Sequence, residues 1–447
     1  MRRALLALIL VPAIAAANGR APLTNGIFLK PGDGSSLYVR TTFGLLISHD
    51  DGCTFRWVCE KAIGYGGEFD PKYAIATDGT IFATTFTGLR VSRDNGCTWT
   101  TATAEKPAGD PGNISEIWID AIDISPTGDV WVATAESAKP NDVYRSTDNG
   151  VTFTAMGLAS PVIWWKSIKV AKSNPLRVYV SGYQVAPTAQ VQIRRSDNGG
   201  TSWTPIVLPA NVAFGSTPIA HVTAVDPANP DHFYLTSLDA APPGGDKVYR
   251  TTDGGTTFTE VASTTDRVRD IVIRSNGSAL IATVSGGTYE SAGPDSAFSR
   301  LGETRPNSQD IKPPQLGCMA QKADGTLVGC GANWAPDYMA VGRASQPLAW
   351  QKLFRFVELA GPVQCAAGTT SQVSCDSLWP ALQAQFGATG PGTCGALADL
   401  EVVDLATPPG KGGSGCCDAG GGTPTGALAL SAIAGAILLR RRQRPVG

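Results

Sequence analysis

Five stretches of this chain share one eight-residue pattern: SHDDGCTF (48–55), SRDNGCTW (92–99), STDNGVTF (146–153), SDNGGTSW (196–203) and TTDGGTTF (251–258). Their starts lie 44, 54, 50 and 55 residues apart, a spacing that belongs to a repeated supersecondary unit. Each copy carries its own turn chemistry. The side chains of Asp50, Asp94, Asp148, Asn198 and Asp253 can accept hydrogen bonds from backbone N–H groups of the turn, and Gly52, Gly96, Gly150, Gly200 and Gly255 can take positive φ. The aromatic that ends each copy, Trp99 and Trp203 among them, starts a returning strand and packs beneath the turn. The pattern is therefore a hairpin staple.

Upstream of the staples a second regularity repeats, as in AIDISPTGDVWVAT then NDVYRSTDNG, or HVTAVDPANPDHFYLTS then DKVYRTTDGG. These read as three strands of two-residue alternation separated by Gly, Pro and Asn turns, with the staple joining the third strand to a fourth. Gly 51, Pro 31 and only 17% charged residues suit many short strands and few helices. A four-stranded meander of some fifty residues cannot bury both faces alone, whereas several stacked around an axis can. Two worn copies, one keeping Ser291 and Phe298 and one ending at Trp350, bring the count to seven. The expectation is an all-β, seven-bladed β-propeller of four-stranded antiparallel blades over residues 18–357.

The least altered staples, Ser-x-Asp-x-Gly-x-Thr-Trp, resemble the Asp-box or bacterial neuraminidase repeat, and the resemblance covers about residues 27–357. It implies that the boxes lie on outer hairpins away from an axial site, so their Asp and Gly residues are structural. Propellers with this box include sialidases and endo-glucanases. The first blade contains Arg40 but lacks the Arg-Ile-Pro motif that the sialidase resemblance would require.

The remaining segments concern targeting and closure. Residues 1–17, with Arg2 and Arg3, an apolar run and Ala15-Ala16-Ala17, read as a secretory signal. Residues 406–425 form a Gly-rich spacer holding Cys416 and Cys417, and 426–447 an apolar run followed by arginines. That order resembles the C-terminal sorting tail of myxobacterial surface proteins, which implies export, sorting machinery acting on the tail, membrane association through the C-terminal helix before processing, and display at the cell surface. Without Arg2, Arg3 and the four tail arginines the net charge of −2 becomes −8, so nucleic acid is not an expected partner. An even number of cysteines in an exported body points to disulfides, and the Asp324-Gly325 turn brings Cys318 opposite Cys330. The other six divide into an N-terminal and a C-terminal three, which allows a bond between the groups that locks a ring closed. Residues 358–405 read as a cap or closing strand, favoured as a cap on the last blade, with a helix at 377–386 presenting Leu378, Leu382 and Phe386.

Aligning the repeats at the start of each first strand superimposes Lys72, Asp120, Lys166, His221 and Arg269, one per blade. If that end faces the axis they form a polar ring suited to an anion or a sugar acid, against the plainer reading of solvated rim residues. Trp118 and Trp164-Trp165 precede first strands and offer either stacking platforms or inter-blade packing. Asp120 and Asp123, three apart in a strand, make a poor carboxylate dyad. No metal-ligand spacing, cofactor motif or nucleophile elbow is present. The expected function is a monomeric, non-catalytic binding or adhesion module for polysaccharide or protein. The competing expectation is a secreted glycosidase using axial carboxylates.

Overall fold

The computed structural model describes residues 20–392 apart from 242–243, 285–286, 302–315, 336 and 347–349. The expected signal segment, the spacer with Cys416 and Cys417 and the apolar tail lie outside the described residues. Among the described residues no helix is long and apolar enough to cross a membrane.

Seven four-stranded sheets follow one another along the chain, each paired in sequence order and antiparallel throughout. Blades 1 to 7 occupy residues 24–59, 73–101, 119–155, 163–205, 220–263, 268–300 and 318–354. The first strand of each blade touches the first strand of the next, and that of blade 7 touches that of blade 1. The sheets thus close into a ring with first strands innermost. Strand alternation explains why: apolar residues of adjacent blades form shared layers, such as Phe82 and Val91 with Val130 and Val132, or Trp131 and Val143 with Val178 and Val180. No blade has a core of its own.

All five eight-residue turns join a third strand to a fourth and share one bond set. The hydroxyl of Ser48, Ser92, Ser146, Ser196 or Thr251 accepts the N–H of the second glycine position at 2.8–3.0 Å. It also donates to the Asp or Asn carbonyl or carboxylate oxygen two residues on, at 2.7–3.0 Å. That oxygen in turn accepts the N–H of Thr54, Thr98, Thr152, Ser202 or Thr257 at 2.7–2.9 Å. The glycines have φ between 78° and 98°. They also have a second duty that the turn pattern alone does not reveal. A Cβ on Gly52 would meet Leu353 of blade 7 at 2.3 Å, on Gly150 Phe82 of blade 2 at 2.5 Å, and on Gly200 Trp131 of blade 3 at 2.8 Å. Each staple is therefore pressed against the preceding blade.

The segment after blade 7 shares one apolar cluster with blades 1, 2 and 7. It crosses to blade 1, where Trp57 N–H donates to the Gly361 carbonyl and Val363 N–H to the Trp57 carbonyl, both at 2.9 Å, making a short parallel bridge outside the fourth strand. The helix runs Thr370–Phe386, seven residues longer at its start than the sequence suggests. Pro380 misleads here: in a helix starting at residue 377 it would occupy the first turn, where its missing N–H is harmless, but it sits mid-helix instead. The buried stripe is accordingly Ser371, Cys375 and Leu382, with Trp379 and Phe386 half-buried beside it, while Leu378 is 41% exposed.

Disulfides Cys59–Cys375 and Cys97–Cys365 tie this segment to blades 1 and 2, and Cys318–Cys330 bridges the first two strands of blade 7. Cys53 is also disulfide-bonded. This bonding fits an extracellular protein.

Candidate functional site

The starts of the first strands and the loops between second and third strands emerge at one end of the ring, opposite the stapled turns, as the strand order requires. At that end lie the residues that the repeat alignment superimposes. Asp120, Lys166 and Arg269 each occupy a register shift in their first strand, at 119–121, 165–167 and 268–270. In blade 5 the shift falls later, at Val222/Ala224, and His221 precedes it. A bulge adds an unpaired residue and re-aims its side chain, here toward the axis.

Three of these residues are in direct contact. Lys72 Nζ lies 3.4 Å from Asp120 Oδ1, donates to the Asp120 carbonyl at 2.7 Å and to the Lys166 carbonyl at 3.0 Å. Lys166 Nζ pairs directly with the same carboxylate. The group spans blades 2, 3 and 4. His221 joins electrostatically: burial first, then repulsion from Lys72, Lys166 and Lys169, holds its imidazole neutral, down at about 3. Among the described residues its buried Nε2 has no hydrogen-bond partner. Arg269 belongs to the blade 6 side, beside Asp270 and Arg40.

Sequence reasoning missed several members. Lys169 repels Lys72 and His221 and attracts Asp270. Three residues beyond Lys166, it falls on the opposite face under strict alternation, but the bulge at Lys166 breaks that alternation. Arg40 comes from a second strand, with Nε donating to Asn25 Oδ1 at 2.7 Å, and no repeat alignment of first strands finds it. Asp123 stays apart from Asp120, accepting the Val170 N–H at 2.8 Å and approaching Lys172 at 3.8 Å.

Burial and neighbouring cations both act on the two ammonium groups. Burial, then Arg40 and Lys169, lowers the Lys72 ammonium to about 7. Burial, then Lys72, lowers Lys166 to about 7. Lys72 nonetheless keeps 39% of its side-chain surface exposed.

An aromatic row borders the cluster. Ring centroids are 4.6 Å apart for Phe69–Phe86, 4.8 Å for Phe86–Trp118, 5.9 Å for Trp118–Trp164 and 6.0 Å for Trp164–Tyr183. Phe86 is 48% exposed, and Lys166 Nζ sits 4.3 Å from the centroid of the Trp118 ring, joining row and cluster. Trp165, by contrast, is fully buried between blades 3 and 4. Among the described residues no group of His, Cys, Asp and Glu could hold a metal ion. A cavity lined by Arg274, Asn276 and Gln321 lies at the far end of the strands and has no part in this cluster.

No protein-family model and no curated protein matches the chain. Solved structures do. An ancestral GH74 enzyme is 15% identical with a TM-score of 0.55, over 75% of this chain and 47% of that one. An extracellular domain attributed to a hybrid two-component system of B. thetaiotaomicron is 13% identical with a TM-score of 0.50, over 73% and 38%. YCF48 from Cyanidioschyzon merolae is 12% identical with a TM-score of 0.45, over 70% and 93%. The chain spans about half the length of the GH74 structures it matches. At these identities the likeness is one of fold, a β-propeller built both in enzymes and in proteins of other kinds.

Proposed function

We propose that this protein is an exported, surface-anchored binding or adhesion module of the Asp-box propeller type, non-catalytic, with polysaccharide favoured over protein as its ligand. The carrying observation is the aromatic row from Phe69 to Tyr183 beside the axial channel, which offers ring faces for sugars to stack on. Asp120, the axial carboxylate nearest to that row, is committed to Lys72 and Lys166, which ill suits it to act as a glycosidase base. The disulfides support export, and the tail resemblance supports anchoring through the C-terminus after sorting.

Affinity electrophoresis against a panel of neutral and acidic polysaccharides tests the reading. Retardation is expected for at least one polymer, reduced about fivefold or more in affinity by Trp164→Ala or Phe86→Ala. Each stacking ring is worth roughly 1 kcal/mol or more, and 1.4 kcal/mol is tenfold. Burial raises the Asp270 carboxyl and so gives the glycosidase alternative a general-acid candidate. Reducing-sugar release from the same panel, abolished by Asp270→Asn, would establish that alternative instead.

A further inference from the structure

We infer that the axial channel is an anion site for the carboxylate of a uronic acid, so that the favoured ligand is an acidic polysaccharide stacked on the aromatic row with a uronate held over the cations of blades 4 and 6. The inference rests on the polysaccharide reading above and specifies its charge.

Cations outnumber carboxylates around the axis. Lys72, Lys166, Lys169, Arg40 and Arg269 interact across the channel, and the carboxylates among them are those of Asp120 and Asp270. Asp70, also near Arg40, is already gripped by Arg20 at 2.7 and 3.1 Å and by Asn25 at 2.7 Å. Asp120 serves both Lys72 and Lys166. Among the described residues the side chains of Lys169 and Arg269 make no hydrogen bond or close ion pair, and both share the attraction of the one buried carboxyl of Asp270. Cations brought together in a partly desolvated channel repel one another, and an anion that enters relieves that repulsion while gaining charge-assisted hydrogen bonds. The body around the channel is acidic overall, so the site is a local inversion of charge rather than part of a basic surface. This argues against a generic polyanion receptor and for a ligand whose acidic groups are spaced among stacking sugars.

Full-length protein run in gels containing polygalacturonate, its methyl ester, a neutral glucan or dextran sulfate provides the test. Polygalacturonate is expected to bind at least tenfold more tightly than its methyl ester, and Lys169→Gln with Arg269→Gln to remove that preference while leaving thermal stability unchanged. Trp164→Ala is expected to weaken binding to the acid and the ester alike. Affinity for polygalacturonate should fall as pH rises from about 6 to about 8. Lys72 and Lys166 are cationic below about 7 and lose charge above it, and the groups facing them are Asp120, Lys169, Arg40 and His221. Equal binding of acid, ester and neutral glucan would overturn this inference and leave the polysaccharide reading standing. Failure of every polymer to bind would overturn both. Equal binding of dextran sulfate, or an affinity flat across that pH range, would overturn the assignment of a uronate at these lysines.

Discussion

A single backbone position does two jobs in each stapled turn. Gly150 has a φ of 78°, a conformation that costs most L-residues about 1–3 kcal/mol, and its missing side chain leaves room for Phe82 of the neighbouring blade. The first duty is written in the turn pattern, since Asp148-Asn149-Gly150 demands a left-handed residue locally. The second is not, because the partner lies two strands into another blade and no local pattern names it. Gly157 separates the two effects: its φ is also 78°, but a side chain there would meet nothing within 4 Å. Gly157→Ala is expected to lose only the conformational term, and Gly150→Ala about 1–3 kcal/mol more through overpacking against Phe82. Urea denaturation of the two variants measures the difference, and equal losses would show that the staple is not pressed on its neighbour.

Strands are more legible than the elements that interrupt or succeed them. Two-residue alternation and turn residues give the blades their order and number, because each sheet buries both faces against neighbours built on the same pattern. The bulges at Asp120, Lys166 and Arg269 leave no mark, since a bulge is a property of pairing between two strands and not of either one. Hence superposing repeats finds Asp120, Lys166 and Arg269 but not Lys169 or Arg40. The helix Thr370–Phe386 is half legible because its phase is set by Cys375, whose partner Cys59 is remote in the chain. That partner also makes a prediction. The bonds Cys59–Cys375 and Cys97–Cys365 span separations of 316 and 268 residues, against 12 for Cys318–Cys330. Closing a longer loop removes more freedom from the unfolded chain. Cys97→Ser with Cys365→Ser should therefore cost about 2–4 kcal/mol in chemical denaturation, and more than Cys318→Ser with Cys330→Ser. The reverse order would mean that local restraint of blade 7 matters more than the long clasp.

Every circular stack of sheets faces the same difficulty, that its first and last members are far apart in sequence and must be held together. Each blade here is made of four consecutive strands, so among the described residues no strand from the start of the chain completes blade 7. The noncovalent seam between blades 7 and 1 consists of first-strand contacts, Leu353 under Gly52, Thr24 Oγ1 donating to the Ala340 carbonyl at 2.8 Å and Lys322 Nζ bonding Asp51 at 2.6 Å. The chain after blade 7 secures it, crossing the seam, bridging Trp57 and bonding covalently to blades 1 and 2. Residues 358–392 are then a closing clasp on which the ring depends. A chain ending at residue 357 should lose the bridge at Trp57, the burial of Cys375 and Leu382 and both long disulfides together, a loss relative to the full protein larger than that of either disulfide alone. Its seam should open first, so limited proteolysis is expected to cut within blades 1 and 7 before blades 3 to 5. Equal midpoints for that chain and the full protein, or cleavage spread evenly around the ring, would show that first-strand contacts close the circle unaided.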